Sequence, residues 1–241
     1  MLPTMFFGGM KLAIFQDVEK EFSSFITHWF QPIYELGNNN ILGYEALLRN
    51  ASQLKVSPTD IFKEAEKKGC ENILDLLSIK TAIESFGCES KLLFLNIFPS
   101  TLLQKNFLSW WDINVPSSMT AVLELLESES IRNWKALRKI TSELQTRGVK
   151  IAVDDMGRGY SFYQQWIELD PDFIKLDRYF AENLSENSRK QKTVMSLVDL
   201  LSDTTEIIIE GIEKEDDLNI AELLGIHYAQ GFLLGKPSPL K

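Results

Sequence analysis

Apolar positions along the chain switch repeatedly between a period of two and a period near 3.6. HWFQPIYE (28–35) and ILGYEALLR (41–49) alternate like strands, and the GNNN between them predicts a hairpin. Residues 58–68 and 71–87 follow helical spacing. LLFLN (92–96), TAVLELLE (120–127), KIAVDD (150–155), DFIKLD (172–177), EIIIE (206–210) and HYAQG (227–231) predict six more strands. Between them, Trp134, Leu137, Ile140 and Leu144 mark one face of a helix over 129–147, with Gly148 as its stop. A helical turn follows 155. Val194, Leu197, Val198 and Leu201 mark another helix, and a last one spans 214–224 before Gly225.

Strand and helix alternating through about eight strands is the pattern of an α/β chain folded as a (β/α)8 TIM-like barrel. The opening hairpin modifies it, because a tight turn makes one early strand antiparallel. A doubly wound open sheet is the alternative. No internal repeat or Pro/Gly/Ser-rich linker divides the chain. The start, MLPTMFFGGMKLAIF, predicts a leading extended segment; it lacks the charged beginning of a signal peptide. Residues 1–25 thus form an extension of unknown role before a domain over 26–241. No apolar run approaches the roughly 20 residues of a membrane-spanning helix.

The 241 residues, 44% of them hydrophobic, suffice for a sizeable core. A net charge of −9 argues against a broad basic face for long nucleic acid. A small anionic ligand stays open, since local residues or bound cations overrule the global field. Cys70 and Cys88 show no metal-ligand spacing and read as free thiols of a reducing, cytoplasmic compartment. With only His28 and His227 present, a zinc site is disfavoured.

Polar residues collect where the strands stop. Glu45 lies on the second hairpin strand. Asn96, Glu124 with Glu127, Asp154 with Asp155, Lys175 with Asp177, Glu210 with Glu213, and Gln230 follow at successive strand ends. One such acid alone is ordinarily a helix cap or a solvated charge, as Glu215, Asp216 and Asp217 are, and Asp177 reads equally as a cap. In a barrel all these ends converge on one mouth. Two carboxylates ~4 Å apart repel by about 4 kcal/mol at an effective dielectric near 20. Such a cluster calls for cations, and carboxylate and amide oxygens suit Mg²⁺, Mn²⁺ or Ca²⁺. A pair of ions ~3.5–4 Å apart is a common device for phosphodiester hydrolysis. Lys175 at that mouth would hold a nucleophilic water or neutralise the transition state.

These blocks resemble the EAL domain family. YEALLR (44–49) resembles its naming motif. FQPIYE, LFLNIFP, LELLE, IAVDDMGRGYSF (151–162), PDFIKLDR, IIEGIEKEDDL and YAQGFLLGKP resemble its other blocks in order, over roughly 26–241. The resemblance implies a modified barrel with one antiparallel strand, here as a stand-alone EAL domain. It implies a cytoplasmic phosphodiesterase that opens cyclic di-GMP to linear pGpG with two Mg²⁺ or Mn²⁺ per site, often as a homodimer. By matched position, Glu45, Asn96, Glu124, Asp154 and Asp155 would be metal ligands. Glu210 would stand at the metal-water site, and Lys175 would be the catalytic lysine. Gln31, Leu48, Arg49, Glu213 and Gln230 would face substrate, Arg49 through a phosphate. Glu127 would tether the loop after the paired aspartates. The chain departs from the family at Phe98, Leu126, Met156, Arg158 and Phe162, none of them a ligand position.

Three readings follow. The first is the phosphodiesterase. The second is a weak or inactive EAL domain that binds cyclic di-GMP or a protein partner. The third is another metal-dependent barrel hydrolase of phosphate esters.

Overall fold

A computed structural model describes residues 12–52, 56–87, 90–126, 131, 133–156, 162–201 and 203–240. Eight strands close into a barrel in chain order: β1 (Ile26–Glu35), β2 (Asn40–Asn50), β3 (Leu92–Ile97), β4 (Ala121–Leu125), β5 (Lys150–Met156), β6 (Phe173–Leu176), β7 (Glu206–Ile209) and β8 (Tyr228–Ala229). The open-sheet alternative is therefore excluded. β1 runs antiparallel to both its neighbours, β2 and β8, and the other pairs are parallel. The hairpin predicted from the GNNN turn is the cause, since two strands joined so tightly can only be antiparallel.

Ten helices surround the barrel among the described residues: α1 (Leu12–Phe22), α2 (Pro58–Lys67), α3 (Glu71–Ser85), α4 (Pro99–Leu102), α5 (Phe107–Asn114), α6 (Trp134–Gln145), α7 (Phe162–Leu169), α8 (Arg178–Ala181), α9 (Ser188–Leu201) and α10 (Glu215–Leu223). None is long and apolar enough to cross a membrane.

Four helices depart from the sequence pattern. Residues 12–22 form a helix, not part of an extended segment. Val18 and Phe22 of α1 are buried with Ile61, Ala65, Ile73 and Leu77 of α2 and α3, so tertiary burial settles what the apolar start obscures. The pattern predicts no element between 97 and 119, yet α4 and α5 lie there. The compact run FLSWW carries no 3.6-residue stripe, but Phe107, Trp110 and Trp111 are all buried. Finally, α6 begins at Trp134 instead of 129, because the Asn133 side chain accepts from the Ala136 amide and caps it there.

Alternation along the strands sorts two cores. Outward residues such as Leu95, Leu123, Val153, Ile174 and Ile209 pack under the helices. Inward residues Ile33, Phe94, Val122, Ala152, Phe173 and Ile208 fill the barrel as one apolar tier. Side chains repeat every second residue. Two steps toward the mouth from that tier therefore stand Gln31, Asn96, Glu124, Asp154, Lys175 and Glu210. On β1 the step counts backwards, because that strand runs the other way.

Candidate active site

The polar tier closes around one ammonium group. Lys175 is 1% exposed, and its Nζ lies 2.7 Å from Glu210 Oε1, 2.9 Å from Glu124 Oε1, 3.1 Å from Glu45 Oε2 and 3.6 Å from Asp154 Oδ1. Four strands, β2, β4, β5 and β7, thus send carboxylates to a lysine on β6. Two amides complete the tier: Gln230 Nε2 donates to Glu45 Oε2 at 2.8 Å, and Asn96 Nδ2 donates to Glu45 Oε1 at 3.2 Å.

Two close backbone approaches hold the ends in place. Gly211 takes φ +74° directly after Glu210, and a Cβ there would stand 2.3 Å from Arg178 Cβ. Gly231 follows Gln230, and a Cβ there would stand 2.1 Å from the Ile212 carbonyl oxygen. Only glycine lets both strand ends turn where they do.

The titration of the cluster follows from burial opposed by pairing. Burial disfavours the Lys175 charge, but Asp154, Glu124, Glu210 and Glu45 outweigh it and hold its pKa well above the usual range. Burial raises Glu124 well above the carboxylate range, and Lys175 offsets this only in part. Burial, with the charges of Asp154 and Glu45, pushes Glu210 up to about 8. Glu45 goes the other way. Burial would raise it, but Lys175 and the hydrogen bonds from Gln230 and Asn96 lower it and keep it anionic.

The donor set suits a hard divalent cation. Lys175 faces Glu124 Oε1 and Asp154 Oδ1, whereas the buried Glu124 Oε2 has no hydrogen-bond partner among the described residues. One ammonium shared among four carboxylates leaves negative charge in excess, which a further cation would compensate. As the tier stands, its acids close on Lys175, and among the described residues no group of three His, Cys, Asp or Glu is ready-made to hold a metal.

The other sequence candidates divide. Gln31 lies in the tier and donates to the Gly235 carbonyl at 3.1 Å. Arg49 stands higher on β2, with Nη1 donating to the Leu48 carbonyl at 2.8 Å. Glu213 is exposed and 3.6 Å from Arg178 at the rim. Leu48 is buried among Ile61, Ile73, Leu74 and Leu77. By strand parity Leu47, not Leu48, shares the face of Glu45 and Arg49. Asp177 caps α8 through the Tyr179 amide at 2.9 Å, as its alternative reading predicts. Glu127 and Arg158 lie outside the described residues, as do the side chains of Asp155, Met156 and Phe162.

Two cavities meet at Glu45. One, about 290 Å³, holds the charges: Glu45, Asp154, Lys175 and Glu210, with Gln31, Gln230, Arg178 and Phe232 around them. The other, about 400 Å³, is mainly apolar and is lined by residues of α2 and α3 and by Leu47, Phe98 and Leu126, together with Asn96 and Arg49. Sequence reasoning missed Leu47 and Phe232. Parity with Glu45 marks the first, and adjacency to Gln230 and Gly231 the second.

The family model of the EAL domain matches residues 18–237. Cyclic di-GMP phosphodiesterase PdeF of Escherichia coli K12 is 28% identical over 232 residues, 88% of this chain and 30% of PdeF. Klebsiella pneumoniae BlrP1, solved as a manganese/cyclic di-GMP complex, superposes with a TM-score of 0.79 at 26% identity, over 88% of this chain and 56% of that one. An EAL domain protein from Listeria monocytogenes EGD-e superposes with a TM-score of 0.80 at 21% identity, over 94% and 92%, a likeness of fold. The chain spans 21–30% of the length of PdeF and of two further Escherichia coli relatives, PdeA and PdeI. A match over most of the chain, on a barrel with one antiparallel strand, makes it a member of the EAL domain family.

Proposed function

We propose that the chain hydrolyses cyclic di-GMP to linear pGpG. The observation that carries this reading is the buried lysine ringed by four carboxylates at the mouth of an EAL barrel. Glu45, Asn96, Glu124, Asp154 and Asp155 would hold two Mg²⁺ or Mn²⁺ ions. When bound, such ions lower the pKa of a water and draw charge from the phosphoryl oxygens.

The chain's own residues supply the rest. Arg49 presents a planar fork suited to a phosphate. The Lys175 ammonium, held by Glu210, orients the attacking water and offsets charge as it grows on the phosphate. Glu210, 2.7 Å from the Lys175 ammonium, fixes where that cation stands. Gln230 and Asn96 keep Glu45 ionised and fixed. Gln31, Leu47, Glu213 and Phe232 would border the substrate. The same reading places the chain in the cytoplasm as a homodimer, with exposed Tyr163 and Ile167, one turn apart on α7, offering an apolar contact.

A receptor that binds without turnover is the second reading. It is favoured by Phe98 and Leu126, which make the larger cavity apolar where it adjoins Asn96. One experiment separates the two: pure protein is incubated with cyclic di-GMP and Mn²⁺ or Mg²⁺, and pGpG is followed. Turnover that EDTA abolishes supports the enzyme, and binding without pGpG supports the receptor. Hydrolysis of other diesters alone would overturn both.

A further inference from the structure

We propose that Trp29 is a positioning residue for Arg49, holding its guanidinium edge-on to the mouth so that it meets a phosphate already oriented. The inference rests on the phosphodiesterase reading. It starts from the one reversed strand. Because β1 is antiparallel, its beginning, not its end, stands at the mouth. Climbing from the apolar tier, β1 presents Ile33, then Gln31, then Trp29. β2 presents Glu45, then Leu47, then Arg49. Trp29 pairs across the hairpin with Leu47, which sets its indole diagonal to Arg49.

The guanidinium carbon of Arg49 lies 5.7 Å from the centre of the Trp29 ring, within cation–π range. Its Nη1 donates to the Leu48 carbonyl at 2.8 Å. Arg49 makes no ion pair among the described residues, and it lines the larger cavity. An aromatic face restrains a guanidinium without using its N–H edge. An acid in the same place would consume those donors and cancel the charge that attracts phosphate. Trp29, half-buried, therefore fixes the arginine without occupying the N–H donors that the Leu48 carbonyl leaves available. The gain is pre-organisation: less rotamer freedom remains to be lost when the anion arrives.

The test is steady-state kinetics on cyclic di-GMP with Mn²⁺, using wild type, Trp29→Phe, Trp29→Leu and Trp29→Met. The leucine and methionine variants keep apolar bulk but lack a π face, so a packing role alone would survive in them. The expected result is a KM raised about three- to tenfold in both, the range of a cation–π contact, with kcat within about twofold. Trp29→Phe should stay within about twofold of wild type in both parameters. In an Arg49→Ala background, Trp29→Leu should add nothing, because the two act as one unit. An unchanged KM in the folded leucine or methionine variant, or fully additive losses with Arg49→Ala, would overturn the inference while leaving the phosphodiesterase reading intact. So would failure of both variants to fold, which would make Trp29 a structural residue. A wild-type protein without turnover would overturn the functional reading and this inference together.

Discussion

Lys175 Nζ lies 2.7 Å from Glu210 Oε1, in a tier where three further carboxylates approach the same ammonium. The charges hold one another in place: neither the acids nor the lysine would tolerate this burial alone. Lys175→Met keeps the side-chain length and removes the cation. It should abolish turnover and, in EDTA, destabilise the fold by about 3–5 kcal/mol, the usual cost of breaking a buried pair. Mn²⁺ should restore more stability to this variant than to wild type, because the uncompensated acids then find another cation. Urea denaturation with and without Mn²⁺ reads both effects. A midpoint that does not move in EDTA would mean that Lys175 is not what holds the tier together.

Glu45 tests the cluster from the opposite side. It accepts from Gln230 and Asn96, and its anionic form is favoured by those bonds and by Lys175. Glu45→Gln preserves shape and removes the charge. Turnover should fall at least about 100-fold, and half-saturation by Mn²⁺ should shift upward, as expected on losing a group that supports a metal site. Wild-type Mn²⁺ titration of this variant would remove Glu45 from the candidate ligand set.

The tier was legible in the sequence because period two projects every second residue into a barrel. Glu124, Asp154 and Lys175 each follow an inward apolar residue by two, and the strand-end rule finds them without coordinates. The same rule fails at β1, whose direction is reversed, so it does not mark Trp29, near the start of that strand. Alternation from Glu45 adds Leu47 to Leu48, and both line the cavity beside Arg49. The helix α1 was illegible for another reason. Its apolar stripe is short, and the partners that bury Val18 and Phe22 lie on α2 and α3, some forty to sixty residues along the chain. Local pattern carries no information about such long-range burial.

The pH dependence of stability has an acid limb with an identifiable source. His28 is buried, its Nε2 bonded to Ser78 Oγ at 3.0 Å and its Nδ1 without a hydrogen-bond partner among the described residues. Burial, with the nearby Arg49 charge, lowers its pKa from 6.5 to about 3. Between those values the unfolded chain binds a proton that the folded chain refuses. The contribution is therefore complete above pH 6.5 and is lost as pH falls toward 3, at up to about 1.4 kcal/mol per pH unit. Glu210 has the opposite sign in metal-free protein. Its raised pKa favours the folded state below the usual carboxylate value and stops doing so as pH rises through about 8. Metal-free protein should then be most stable at mildly acidic pH. His28→Gln should flatten the limb below pH 6.5 and leave the alkaline limb unchanged. An unaltered acid limb in equilibrium denaturation would exclude His28 as its source.

Phe22 decides whether α1 belongs to the folding unit or merely rests on it. The residue is 1% exposed, and its ring lies 5.3 Å from that of Phe25, just before β1. It shares a cluster with Leu48 of β2 and with Leu74 and Leu77 of α3. Two lysines reinforce the same contact: Lys80 pairs with Glu19 at 2.7 Å, and Lys68 pairs with Glu21. These ion pairs are exposed enough to add little, so the apolar contact dominates. Phe22→Ala should cost about 3–5 kcal/mol, the range for emptying a buried aromatic site, in a single cooperative transition. Because Leu48 borders the cavity beside Arg49, the same variant should also loosen that wall and raise the KM for cyclic di-GMP. An unchanged denaturation midpoint, with α1 selectively cleaved by protease, would show instead that the barrel folds without it.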